Sequence, residues 1–180
     1  MAKGNAWKHR NDPPMGHKKR VTEKRELRST PQYTLDDLYI SPFTQRRRYD
    51  EEGRKHYVDV ERNTSPTGIH VMDDYLCYLS AGQSDVRAFA DRYGIRTGEL
   101  AALVFILTGQ KGTLFRQQYQ ARLADDLLRY TDLPLAEIAS RSGIGSQINL
   151  YQALRRDCNM SATERRQFLR EEGDEGRFIL

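Results

Sequence analysis

The chain has 180 residues, 38% hydrophobic and 30% charged, with a net charge of +4 and a mean hydropathy of −0.78. That is room for one ordinary domain plus a tail. No run approaches the ~20 apolar residues of a membrane span, so no membrane partner is expected. The first residues lack the apolar run of a secretory signal, and the two cysteines, Cys77 and Cys158, fit neither a metal spacing nor a disulfide framework. A reducing cytoplasm is the expected compartment.

Residues 1–28 are charged, carry Pro13-Pro14 and hold few apolar residues, a composition that predicts disorder. Nine Lys/Arg and three Asp/Glu fall in residues 1–30, against fourteen and fifteen in 71–180. The basic balance therefore sits in the arm. Such an arm suits attraction to polyanions, and the same composition also fits a merely solvated terminus. "YTLDDLYI" (Tyr33 to Ile40) reads either as a turn or two of helix or as an extended docking arm. "QRRRYDEEGRKHY" (Gln45 to Tyr57) reads as a charged loop. "NTSPTG" (Asn63 to Gly68) is turn chemistry, and divides an arm, 1–69, from a helical domain, 70–172, and a tail, 173–180.

From Val71 onward the pattern is helical throughout, with no comparable strand signal. The first helix, about 70–80, places Val71, Tyr75, Leu76 and Leu79 on one side. The second, about 85–93, follows Ser84 as N-cap, carries Val86, Phe89, Ala90 and Tyr93 at i, i+3, i+4, i+7, and stops at Gly94. The third spans about 98–108. The fourth, about 113–130, turns Phe115, Tyr119, Leu123, Leu127 and Leu128 inward. The fifth opens at Pro134 and ends at Gly143. The sixth, about 146–157, has a Gly145-Ser146 cap, and the seventh opens with the capping box "SATE" (Ser161 to Glu164). The predicted fold class is all-α: two helix-turn-helix units joined by a long helix.

The pairing of units rests on a repeat. "ADRYGI" (Ala90 to Ile95) and "ASRSGI" (Ala139 to Ile144) share Ala-x-Arg-x-Gly-Ile. The small residue lets two helices approach, the Gly takes a positive φ in the turn, and the aliphatic residue plugs the core. Phe89, Ala90, Gly94, Ile95 and Leu100 fill these roles in the first copy, and Ile138, Ala139, Gly143, Ile144 and Leu150 in the second.

The stretch from Ala124 to Arg170 resembles the second half of the AraC-type DNA-binding domain, on Ala124, Leu127-Leu128, Thr131, Pro134, Glu137-Ile138-Ala139, Gly143 and "MSATERR" (Met160 to Arg166). The resemblance covers about Leu79 to Arg170 and is weaker over the first unit. It implies a seven-helix fold with two reading helices in successive major-groove segments of double-stranded DNA. The effector-binding domain often fused to such units is not expected in the preceding segment, which is short and polar. By this similarity, base contacts fall to Gln147, Asn149 and Gln152, and phosphate contacts to Ser146, Arg155, Arg156 and Arg166. A solvated polar face is the plainer account of the same residues.

The first copy departs from the pattern. Its reading helix carries Gly98, Ala101 and Ala102, with Phe105 and Ile106 where basic residues usually stand in the family. The run Leu103, Val104, Phe105, Ile106, Leu107 is apolar all round, so either the N-terminal segment buries it or it meets a partner, a second copy or another protein.

Catalytic chemistry is not expected. His9, His17, His56 and His70 lack ligand spacing, the Asp pairs at 36–37, 73–74 and 125–126 read as helix charges, and there is no nucleophile–base pair, metal motif or cofactor motif. The tyrosines Tyr33, Tyr39, Tyr49, Tyr57 and Tyr75 read as packing rather than base-stacking groups. Two functions follow. One is a sequence-specific DNA-binding transcriptional regulator reading mainly through the second unit. The other is a non-enzymatic interaction or nucleoprotein-assembly component that keeps the fold and uses the apolar helix as its interface.

Overall fold

The computed structural model describes residues 30–180. The basic stretch 1–28, expected to be disordered, lies outside them. Eight helices and three short strands are formed among the described residues: α1 (Leu35–Leu38), β1 (Gln45–Tyr49), β2 (Lys55–Asp59), α2 (His70–Ser80), α3 (Val86–Arg92), α4 (Thr97–Thr108), α5 (Gly112–Tyr130), α6 (Leu135–Arg141), α7 (Gln147–Cys158), α8 (Ala162–Leu169) and β3 (Phe178–Ile179).

The six helices from α2 to α7 match the sequence reading to within a residue or two, and α8 starts as read but ends at Leu169, short of the fray expected near Gly173. Their ends have local causes. Ser146 caps α7 by accepting from the Asn149 N–H, and Ser161 and Glu164 close a capping box on α8. One cap shifts: Asp85, not Ser84, accepts from the N–H groups of Arg87 and Ala88 at the start of α3.

The long α5 divides the molecule. Phe115 and Tyr119 on its first half join Leu38, Ile40, Met72, Tyr75, Leu76, Phe89, Leu100, Val104 and Leu107 in one core. Leu123, Ala124, Leu127 and Leu128 on its second half join Phe43, Ile138, Ala139, Leu150, Leu154 and Ala162 in another. Each helix-turn-helix unit thus has its own core, and α5 is common to both. Four of the five repeat positions of each copy behave alike: Phe89, Ala90 and Leu100, like Ile138, Ala139 and Leu150, are buried, and the aliphatic plugs Ile95 and Ile144 pack against them, whereas Gly94 is exposed and Gly143 is buried.

The all-α expectation needs one correction. A three-stranded antiparallel sheet, in the order β2-β1-β3, joins the charged stretch 45–59 to the C-terminal residues. The stretch read as a loop is a hairpin, turned at Gly53 (φ +76°), where Asp50 accepts from the N–H groups of Glu52 and Arg54. The C-terminal end is paired rather than frayed. Phe178 stacks on Phe43 and meets Tyr130 edge-on, which fastens the sheet to the end of α5. Asp174 is buried between Arg129 (2.8 Å) and Arg177 (3.0 Å).

The segment before the sheet, read as helical turn or docking arm, forms one helical turn and docks on the core. Thr34 and Asp37 form a capping box on α1, and Leu38, Ile40 and Phe43 are buried. Tyr39 donates to Asp126 on α5 (2.7 Å), and the Ile40 N–H donates to the Tyr119 hydroxyl (3.1 Å). Of the five tyrosines read as packing groups, Tyr33, Tyr39 and Tyr75 pack on the first core, whereas Tyr49 is 61% exposed.

Candidate nucleic-acid interface

In the second unit α6 packs under α7, and the turn between them is set by Gly143 (φ +74°) and Gly145 (φ +95°). Leu150 and Leu154 fix which side of α7 is down. At 100° per residue the opposite side carries Gln152 at its centre with Ile148 and Arg156 beside it, flanked by Arg155 and Tyr151 on one side and Asn149 on the other. All six are exposed.

The residues proposed from sequence are placed as follows. Ser146 is exposed at the N-cap. Gln147 lies at the edge, half-buried, and its Nε2 donates to the Tyr151 hydroxyl (2.7 Å). The Asn149 side chain donates to the Ile144 carbonyl (3.3 Å). The Gln152 side chain is exposed and makes no hydrogen bond among the described residues. Arg155 donates to the Asn159 carbonyl (3.2 Å), and Arg156 forks onto Asp157 (2.6 and 3.0 Å). An exposed pair of this kind is worth only about 0–1 kcal/mol, so Arg156 can exchange Asp157 for a phosphate at little cost.

Arg166, expected at a phosphate, is held differently. It is half-buried, donates to the Leu133 carbonyl (2.6 Å), and its Nε is buried without a partner. Burial, with Arg170 nearby, lowers its pKa. It braces the turn between α5 and α6 and shows solvent only part of its guanidinium.

Sequence reading missed two residues. Ile148 is 67% exposed and Tyr151 is 38% exposed. Ile148 stands two residues from buried Leu150, about 200° around the helix, so helical phase places it, with Gln152, on the side away from the core. On one flank, α7 and α5 enclose a groove of about 420 Å³ whose lining includes Gln117, Gln120, Asn149, Gln152 and Arg156. Amide donors and acceptors from two helices converge there.

The first unit presents another surface. On α4, Val104 and Leu107 are buried, and Leu103 and Phe105 are half-buried. The N–H groups of Gln32 and Tyr33 donate to the Leu107 carbonyl (2.9 and 3.1 Å), and the Pro31 ring lies beside Gly109. The N-terminal segment therefore covers the C-terminal end of the apolar run. Gly98, Ala101 and Ala102 are exposed, and Arg96 at the start of the helix is paired with Glu99 (2.8 Å). No cation projects from the middle of this helix.

Among the described residues no group of three or more His, Cys, Asp or Glu is placed to hold a metal ion, and no helix is long and apolar enough to cross a membrane.

No protein-family model matches the chain, and no curated protein sequence matches it. Solved structures do. The C-terminal domain of AraT, a response regulator from Geobacillus stearothermophilus, is 20% identical and aligns over 54% of this chain and 80% of its own, with a TM-score of 0.47. The C-terminal domain of the two-component response regulator yesN from Fusobacterium nucleatum is 15% identical over 54% of this chain and 94% of its own, TM-score 0.47. The DNA-binding domain of AdpA, a global transcriptional factor solved in complex with a target DNA, is 25% identical over 55% of this chain and 88% of its own, TM-score 0.47. All three are described as regulators or parts of them, and that of AdpA as a DNA-binding domain.

Proposed function

We propose that the chain is a DNA-binding transcriptional regulator that reads duplex DNA mainly through α7. The observation that carries this reading is the outward face of α7. Ile148 and Gln152 stand centrally on a capped helix, with Asn149 on one flank, Arg155 and Arg156 toward the far end, and no acidic residue before Asp157. An amide can pair with adenine, an aliphatic side chain can meet a thymine methyl group, and the arginines suit guanine or phosphate. Gln147, Asn149 and Gln152 are assigned to bases, together with Ile148. Ser146, Arg155 and Arg156 are assigned to phosphates, and Arg166 supports them through the turn it braces.

The test is binding of the full chain to a pool of random duplexes, followed by the Gln152→Ala, Arg155→Ala double variant on the selected site. Selection of a defined sequence by the parent, and loss of that preference in the variant, is the expected result. A parent that enriches no sequence, or a variant with unaltered preference, rejects the reading.

A second reading is favoured by α4, whose exposed Gly98, Ala101 and Ala102 offer a flat apolar strip and no donor to DNA. Here α4 meets a protein, a second copy included. Phe105→Glu then lowers self-association or partner capture with the fold retained; unfolding of that variant makes Phe105 simply core.

A further inference from the structure

The sheet lies outside the stretch that resembles a known family, and its hairpin places charge in an unusual way. Side chains alternate across the strands, so Arg46 and Arg48 share one face with their register partners Val58 and His56. Three consecutive arginines in β1 thus put two cations, and a histidine opposite one of them, on one side of a ribbon. Uncompensated like charge on neighbouring positions costs the strand stability.

Several other charges nearby are already occupied. Arg47, on the opposite face, donates to the carbonyls of Gly173 and Glu175. Arg54 pairs with Asp50 (2.9 Å) and Glu52 (3.0 Å). Asp59 accepts from Gln45 (3.0 Å). Arg46 lies over the Phe178 ring, with its guanidinium carbon 5.9 Å from the centroid, and Arg48 and His56 are exposed. Among the described residues, neither Arg46 nor Arg48 has an ion pair. The face that carries them holds no carboxylate of either strand.

This face is also held in place. Tyr57 donates to the Gly176 carbonyl (3.1 Å), Arg47 grips the same loop, and buried Asp174 fixes that loop through Arg129 on α5. Phe178, packed on Phe43 and Tyr130, mounts the root of the ribbon where α5 ends, just before the second helix-turn-helix unit begins. Five residues per strand carry it roughly 17 Å outward at ~3.4 Å per residue. The tip, with Asp50, Glu51 and Glu52, is acidic, so the stem rather than the tip suits an anion.

We propose that the Arg46–Arg48–His56 face of the β1–β2 ribbon is a second DNA-contacting element, gripping the phosphate backbone beside the segment read by α7. The occupant is duplex DNA because Arg46 and Arg48, which have no carboxylate partner among the described residues, complement a line of phosphates, and because the ribbon is anchored at the start of the reading unit. This inference rests on the reading of α7 as the DNA-recognition helix. The ribbon adds affinity without sequence preference, since phosphates carry no base information.

The experiment is a salt titration of duplex binding by the full chain, comparing the parent with Arg48→Glu, Arg48→Lys and the α7 variant Gln152→Ala. Arg48→Glu is expected to reduce the slope of log affinity against log salt by about one and to weaken every duplex by the same factor. Arg48→Lys restores the slope. Gln152→Ala changes the preference among sequences and leaves the slope intact. Circular dichroism melting of Arg48→Glu matches the parent, because the side chain is exposed. An Arg48→Glu slope equal to the parent's overturns the ribbon proposal alone while Gln152→Ala still alters preference. A parent that binds no duplex overturns both.

Discussion

Gly82 and Arg141 meet backbone to backbone where the two helical units touch. A Cβ added to Gly82, whose φ is +75°, would collide with the carbonyl group of Arg141 at the end of α6. Gly143 closes the same contact from the other side, where an added Cβ would come 3.1 Å from the Gly82 carbonyl oxygen, and Gln120 of α5 donates to the Gly143 carbonyl (2.8 Å). This junction, together with α5, fixes how the turn before α3 sits against the turn before α7.

Gly82→Ala is therefore expected to destabilise in two ways. A left-handed alanine costs about 1–2 kcal/mol, and the Arg141 backbone must also move. Gly94 has the same kind of φ, +64°, but nothing lies within 4 Å of an added Cβ. Gly94→Ala then loses only the conformational part. Urea unfolding of both variants checks the ranking, and equal losses would show that the junction yields freely.

How much of this was legible in the sequence depends on the range of the interaction. The helices were legible because their causes are local: the apolar spacing of α5, the "SATE" box, and the repeated Ala-x-Arg-x-Gly-Ile turns. Even the Ser84 error is a choice between adjacent residues of equal capping chemistry. The sheet was not legible as strand. Gln45–Tyr49 has no alternating apolar face, and it is held by Phe178 and Ile179, more than 130 positions away, and by backbone carbonyls of Gly173 and Glu175. Gly53, closing a charged run between two short stretches, was the one local hint of a hairpin. On α7 the polar residues drew attention for their chemistry, whereas the geometry ranks Ile148 above Gln147 in exposure.

Ile148→Asp is expected to abolish duplex binding without lowering the melting temperature. The side chain is 67% exposed, so the folded state loses little packing, whereas a carboxylate at the centre of a DNA-facing helix meets the phosphates with the wrong sign. Anisotropy titration at fixed salt, with a melting curve beside it, reads both. A variant that still binds as the parent does would move the contact surface off this face.

Asp174→Asn tests the clamp on the sheet. Burial pushes the Asp174 pKa up, but hydrogen bonds from Arg129, the Glu171 N–H and Arg177 outweigh it and leave the pKa lowered. A carboxylate with a depressed folded pKa contributes stability that is present above its ordinary value, about 4, and is lost as pH falls through the folded pKa. The substitution should cost about 1–3 kcal/mol near neutrality, by weakening charge-assisted bonds to two arginines. The gap from the parent should close below pH 4. Urea midpoints at pH 7 and pH 3 measure it.

Tyr39→Phe has a pH dependence of its own. Burial raises the Asp126 pKa, while the hydrogen bond from Tyr39 and the charge of Arg122 lower it without fully compensating. With its folded pKa above the unfolded one, Asp126 is best tolerated when protonated, and folding loses stability as pH rises through the folded value. The Tyr39 hydroxyl, 2.7 Å from the carboxylate, offsets part of that loss. Removing it should cost about 1–3 kcal/mol at pH above the folded value, where the half-buried carboxylate is charged and loses a donor, and less below it. Because Tyr39 joins the N-terminal segment to α5, the same variant should raise amide exchange over Leu35–Leu38. A uniform cost across the pH range would mean that Tyr39 acts through its ring packing on Tyr119, 5.2 Å between centroids, rather than through its hydroxyl.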